Sequence, residues 1–138
     1  MGMLQDVVDG ANTKATNQGD NPLAGKFFLS ETIEKEDLNW DSLPKASIHI
    51  GAIDASVDQD DSSIGCLQSM EVQIKCWVIC AIEDVFELIK QANRAILGLQ
   101  PDQYITELIL QSGYLKEING NKCWYELSYQ FKNQTKSE

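Results

Sequence analysis

The stretch "SMEVQIKCWVIC", residues 69–80, constrains the fold more than any other part of the chain. Met70, Val72, Ile74, Cys76, Val78 and Cys80 occupy alternate positions, with Ser69, Glu71, Gln73, Lys75 and Trp77 between them. Successive side chains of an extended backbone point to opposite faces, so the pattern predicts one long strand with an apolar and a polar side. Only Ile79 departs from it, at the end of the polar side. Nothing in the stretch has the look of a catalyst.

Other segments supply the rest of a fold. Pro44 suits the start of a strand in "KASIHIGAI", where Ile48 and Ile50 share one face. That strand is expected to pair antiparallel with the long one across "DASVDQDDSSIG", an acidic loop. In residues 84–97, "DVFELIKQANRAIL", the period changes. Val85, Ile89, Ala92 and Ile96 form a helical stripe widened by Leu88 and Ala95, and Gly98 supplies a stop. In "PDQYITELILQSGYLKEI" a turn of helix or coil to about residue 105 precedes a strand to 118, with a bulge at Ser112-Gly113. Asn119-Gly120 marks a tight hairpin turn with positive φ. The return strand "KCWYELSYQFK" alternates Cys123, Tyr125, Leu127, Tyr129 and Phe131 against Lys122, Trp124, Glu126, Ser128, Gln130 and Lys132.

The front of the chain is less regular. Residues 3–9 make a short helix with Met3, Leu4, Val7 and Val8 on one side and Gly10 as its stop. The polar "ANTKATNQGDNPLAG" reads as a loop, and Phe27, Phe28 and Leu29 anchor an irregular segment to the core. The expected organisation is therefore an N-terminal region 1–42, a core 43–132 and a frayed tail 133–138. The core is an α+β arrangement, an antiparallel or mixed sheet of about four strands with one main helix packed on one face.

Charge and motifs bound the chemistry. The 138 residues carry a net charge of −10, which argues against nucleic-acid binding and against an anionic membrane surface. No 18-residue apolar run is long enough to cross a membrane. The opening "MGMLQDVVDG" has neither a basic leader nor a signal-length apolar stretch, so the chain is expected to stay in the compartment where it is made. Nine of the 21 acids lie between Glu31 and Asp61, against Lys35 and Lys45. Asp54, Ser56, Asp58 and Asp60 match the first positions of an EF-hand loop, but Gln59 stands where glycine is required and Gly65 where a bidentate glutamate is required. The four cysteines (Cys66, Cys76, Cys80 and Cys123) are expected as reduced, small hydrophobes. Cys76 and Cys80 lie four strand residues apart, about 13 Å, too far for one zinc ion.

Phosphate-cradling glycine motifs are absent, and the single histidine, His49, sits opposite in face to Ile48 and Ile50, as a structural or solvent-facing residue. No catalytic residue, metal ligand or cofactor site is expected. Trp77 and Trp124 are the odd residues, large aromatics on faces that alternation assigns away from the core. Two readings fit them: burial under a second layer, or contact with a subunit or partner.

The order of these features resembles the tail-terminator proteins of long-tailed bacteriophages, of the lambda minor-tail type. The resemblance runs from Leu43-Pro44 into Ile48 and Ile50, then through the acidic loop to "KCWV" at Lys75–Val78. It continues through helix 84–97, "SGY" at Ser112–Tyr114, the turn at Gly120, Trp124, and a last strand with Tyr129 and Phe131. It implies a structural protein of the virion, at the head-proximal end of the tail and in the host cytoplasm during assembly. Such a subunit forms a homohexameric ring on the tail tube, stops tube growth and offers a surface for head attachment. Its partners would be copies of itself, the major tail-tube protein and a head-completion or connector protein, with DNA passing through unbound. By the same implication Asp54, Asp58, Asp60 and Asp61 face the lumen or a neighbouring subunit. The front departs from the family, whose members open with a longer amphipathic helix than residues 3–9 supply. Two alternatives stay open: another neck or baseplate ring protein, and a small bacterial ligand-binding or enzymatic α+β domain.

Overall fold

The computed structural model describes residues 3–30, 43–57, 67–100 and 107–134. Five strands form one mixed sheet in the order β1-β2-β3-β5-β4. They are β1 (Phe27–Leu29), β2 (Lys45–Val57), β3 (Leu67–Ala81), β4 (Ile109–Asn119) and β5 (Lys122–Gln134). Two helices, α1 (Met3–Gln18) and α2 (Val85–Ile96), pack over one face. The fold is α+β, with one strand and one substantial helix more than the sequence pattern predicts.

The long strand is the axis of the sheet. β3 pairs antiparallel with β2 on one side (Ile48↔Cys76, Ile50↔Ile74) and with β5 on the other (Cys76↔Leu127, Ile74↔Tyr129). Val72, Ile74, Cys76, Val78 and Cys80 enter the core beneath the helices, as the alternation predicts. Ala46 and Ile48 of β2, with Cys123, Leu127 and Tyr129 of β5, complete the floor. From α2, Val85, Leu88, Ala92, Ala95 and Ile96 point down onto it. The side chains of Met70 and Phe131 lie outside the described residues, as do Cys66 and the segment preceding residue 107.

The front of the chain corrects three expectations. The first helix does not stop at Gly10 but runs 16 residues, through what reads as a polar loop. Its buried stripe is Val7, Val8, Ala11 and Ala15, two of them alanines, so the apolar signal is faint although the contact is close. Gly10 is a point of approach: a Cβ there would stand 3.2 Å from Leu99 Cδ2. Polar side chains lock the helix to α2, with Lys14 Nζ donating to Leu97 O (2.5 Å) and Gln18 Nε2 to Arg94 O (3.0 Å). Second, Phe27–Leu29 is a strand, parallel to Ala46–Ile48 of β2. Asn12 of α1 imitates a strand on its other side: Phe27 N–H donates to Asn12 Oδ1 (3.0 Å) and Asn12 Nδ2 donates to Phe27 O (3.0 Å). Third, β2 continues to Val57, so Asp54 belongs to a strand instead of a loop, opposite Glu71.

The hairpin between β4 and β5 is present, with its turn shifted by one residue. Asn119 pairs with Lys122, so Gly120 and Asn121 are the central residues, and only Gly120 has positive φ (64°). Glycine at the first central position is the requirement of a type II′ turn. The bulges of β4 fall between Leu110 and Ser112 and between Leu115 and Glu117, on either side of the Ser112-Gly113 position expected.

The Asn12 contact yields a test. Asn12→Ala would leave the N–H and C=O of Phe27 without those partners, at about 1–3 kcal/mol for each group that stays buried. The expected outcome in denaturant unfolding is a loss on the order of 2 kcal/mol. Amide exchange should quicken across 27–29 while β3 and β5 stay protected.

Candidate assembly surface

Two parts of the sheet lie away from α1 and α2: its second face and its β4 edge. On the second face alternation delivers Ser47 and His49 from β2, Gln73, Lys75, Trp77 and Ile79 from β3, and Trp124, Glu126 and Ser128 from β5. Trp77 and Trp124 are both buried there in one cluster with Ile79, and Leu43 packs against it. Their rings meet edge to face at 4.4 Å, and His49 meets Trp77 in the same way at 4.2 Å.

Glu126 is the polar centre of this face. Its carboxylate accepts from Trp77 Nε1 at 2.9 Å and pairs with Lys75 Nζ at 3.3 Å and Lys116 Nζ at 3.8 Å. Burial alone would raise the pKa of this acid. The Trp77 N–H, Lys75 and a hydrogen bond from Tyr114 outweigh burial and hold it below the usual glutamate value. Lys116 also lies over the Trp124 ring at 5.5 Å and donates to Tyr114 Oη at 3.3 Å. The network therefore fastens two β4 residues, Tyr114 and Lys116, to the centre of the sheet.

His49 has the opposite environment. It is 3 % exposed, and neither ring nitrogen has a hydrogen-bond partner among the described residues; Ser47 Oγ and Trp124 Nε1 share that condition. Burial, opposed by Glu126 and aided by Lys75 and Lys116, lowers its pKa to about 4. The imidazole is neutral at pH 7 and out of reach of solvent. The three described thiols are equally unsuited to attack: burial raises Cys76 and Cys123 and pushes Cys80 up to about 12. Cys80 and Cys123 lie side by side across β3 and β5, with their sulfurs 3.9 Å apart. Among the described residues, no three His, Cys, Asp or Glu side chains gather to hold a metal ion.

The β4 edge differs in kind. β5 pairs with one side of β4, and no described strand pairs with the other. Ile109, Leu110, Tyr114, Leu115 and Ile118 are between 41 and 55 % exposed. Leu110, Leu115 and Ile118 stand opposite Tyr129, Tyr125 and Cys123, on the helix side of the sheet but beyond the cover of the helices. Ile109 and Tyr114 stand opposite Gln130 and Glu126, on the second face. An edge strand with no described strand on one side and apolar side chains on both faces is a template for another chain.

The sequence-predicted sites fall unevenly on this geometry. Trp77 and Trp124 are brought together, inside the subunit. Asp54 lies on β2, away from the β4 edge, and Asp58, Asp60 and Asp61 lie outside the described residues. The β4 residues were not singled out by sequence; their signal is a failure to alternate, with apolar residues on both faces of one strand.

No family model and no curated protein matches the sequence. Among solved structures, a chain of the virion of a native gene transfer agent particle is similar, with a TM-score of 0.54 and 9 % identity. The match covers 94 % of this chain and 98 % of that one. At that identity the likeness is one of fold.

His49 generates a pH test. Its folded pKa lies below the unfolded value of 6.5, so the unfolded state binds the proton first as pH falls. The stability tied to the neutral ring is complete above pH 6.5 and is lost on the way down to about 4. The expected loss from roughly pH 7.5 to 5 is about 2 kcal/mol, read from denaturant midpoints. With one histidine in the chain, His49→Phe should remove that slope.

Proposed function

We propose that this chain is a structural subunit of a phage-type virion, and that it acts as a tail terminator. Copies of it form a hexameric ring on the finished tail tube. The ring stops further addition of tube subunits and presents a surface to the head-completion or connector protein. DNA passes through the ring without being held. The protein does its work at the head-proximal end of the tail, as an assembly part and not as an enzyme.

The observation that carries this reading is the end-to-end likeness of fold to a virion component, covering nearly all of both chains. The surface supports it independently. A chain with a net charge of −10 nonetheless exposes large apolar residues along an edge that no described strand covers, a combination suited to being covered by another subunit. The chemistry is consistent: His49 is buried and neutral at pH 7, and the described thiols are buried. Acidic residues of the 54–61 segment would line the lumen or meet a neighbour, repelling DNA in the first case. Trp77 and Trp124 would contribute to subunit contact from behind, by holding Glu126 and Lys116 under the β4 edge.

Electron microscopy of tail tubes assembled with and without the protein tests the role. The expected outcome is a one-layer ring at the head-proximal end, with tubes that stop at a uniform length. Tubes that overgrow equally with and without the protein, or density for the chain elsewhere in the particle, would contradict it.

A further inference from the structure

We infer that Cys80 and Cys123 are a redox-controlled clasp: free thiols in a reducing cytoplasm, they join as an intramolecular disulfide once the protein meets an oxidising medium. The pairing stands on the β3–β5 geometry and goes beyond the ring reading. Only the occasion, release of a particle from its host, rests on that reading.

Register selects the pair. Cys80 and Cys123 stand directly opposite each other on β3 and β5, with their sulfurs in contact at 3.9 Å. Opposed residues of an antiparallel ladder have Cα atoms about 4.5 or 5.5 Å apart, inside the range of roughly 4.4–6.8 Å that a disulfide spans. Bonding needs the sulfurs to close by about 2 Å, a change on the scale of side-chain rotation. Cys76 is no competitor. It lies four residues along the same strand, about 13 Å from Cys80, and stands opposite Leu127.

Position gives access. The β3–β5 ladder ends one pair later, at Ala81 and Lys122, beside the hairpin turn at Gly120 and Asn121. On β4 the residue opposite Cys123 is Ile118, which is 52 % exposed. Strand ends open at lower free energy than strand centres, so fraying of the last pairs brings both buried sulfurs to solvent without global unfolding. Cys76, deeper in the ladder, lacks that route.

The chemistry balances with a low-molecular-weight disulfide, such as glutathione disulfide, as the oxidant. Cys123 is the first attacker, because its hydrogen bond with Cys80 favours the thiolate against burial. Its sulfur bonds to one glutathione sulfur and expels the other glutathione as a thiol, leaving a mixed disulfide. Cys80 then gives up its proton, attacks the Cys123 sulfur and expels the second glutathione. The two cysteines lose two electrons and two protons, and one glutathione disulfide becomes two thiols. In the cytoplasm abundant thiols run the exchange backwards and keep the pair reduced.

The bond would close residues 81–122, with α2 and β4, into a covalent loop. Such a loop narrows the unfolded ensemble and so raises stability. It would also fix the register of the two central strands.

The purified chain, held in glutathione disulfide or in dithiothreitol, tests the inference. After unfolding and alkylation, chymotryptic mass mapping reports which thiols are blocked, since cleavage after Trp77 separates Cys76 from Cys80. The expected outcome is a single Cys80–Cys123 bond and a melting temperature about 10 °C above that of the reduced chain, reversed by dithiothreitol. Cys80→Ala and Cys123→Ala should each abolish the oxidant-dependent rise, whatever their own melting temperatures. Four alkylatable thiols after oxidation would overturn the inference. So would a bond through Cys66 or to a second chain, or a bond that leaves the melting temperature unchanged or lower. Alkylation inside the producing cells should find both thiols free, and a bond already formed there would overturn the switch. None of these results bears on the ring reading, which the tube experiment decides separately.

Discussion

The pairing of β3 with β5 is the interaction on which the rest of the structure depends. Through Ile74↔Tyr129, Cys76↔Leu127 and Cys80↔Cys123 it lays the floor on which both helices settle. Through Lys75↔Ser128, Trp77↔Glu126 and Ile79↔Trp124 it builds the opposite face. A shift of β5 by one residue would reverse its faces, sending Glu126 under the helices. The core floor alone would resist that shift, and so would Glu126, whose two oxygens find Trp77 and Lys75 only in the observed register. With β3 and β5 fixed, β2 and β4 can only add outside them, and β4 is left at the edge.

That position explains why the subunit exposes large apolar residues along one edge. The helices are just wide enough to cover β2, β3 and β5, so the apolar residues of β4 remain in water. The cost is borne by the free subunit. A large negative charge opposes chance association through such an edge, since it keeps copies apart until contact is specific. On the proposed reading, the tail tube provides the place where copies accumulate. The buried polar network beneath β4 has a matching part. By tying Tyr114 and Lys116 to Glu126, it holds the edge strand in place on the side where no described strand pairs with it.

Much of this was legible in the sequence where periodicity is strong. The alternation of 69–80 and of 122–132 gave the two central strands and their faces, and the 3.6-residue stripe of 84–97 gave α2. Elements held by distant or side-chain partners were not legible. The buried stripe of α1 is half alanine, and its partner α2 lies some seventy residues further along the chain. β1 is three residues long and leans on the amide of Asn12. β2 enters the acidic segment because β3 is there to pair with it, not because "DASV" favours a strand. Of the candidate site, alternation marked Trp77 and Trp124 as misplaced aromatics. It could not show that Glu126 joins them, since residues 77 and 126 meet only through the β3–β5 register. The apolar residues of β4 were in plain view, but their exposure follows from sheet order, which no local pattern encodes.

Hydrogen–deuterium exchange across residues 109–119, compared between the free subunit and the assembled ring, tests the central claim most directly. The account predicts that amides on the free side of β4 exchange readily in the monomer and become strongly protected on assembly, while β3 is protected in both. Protection of those amides already present in the monomer, or exchange unchanged by assembly, would contradict it.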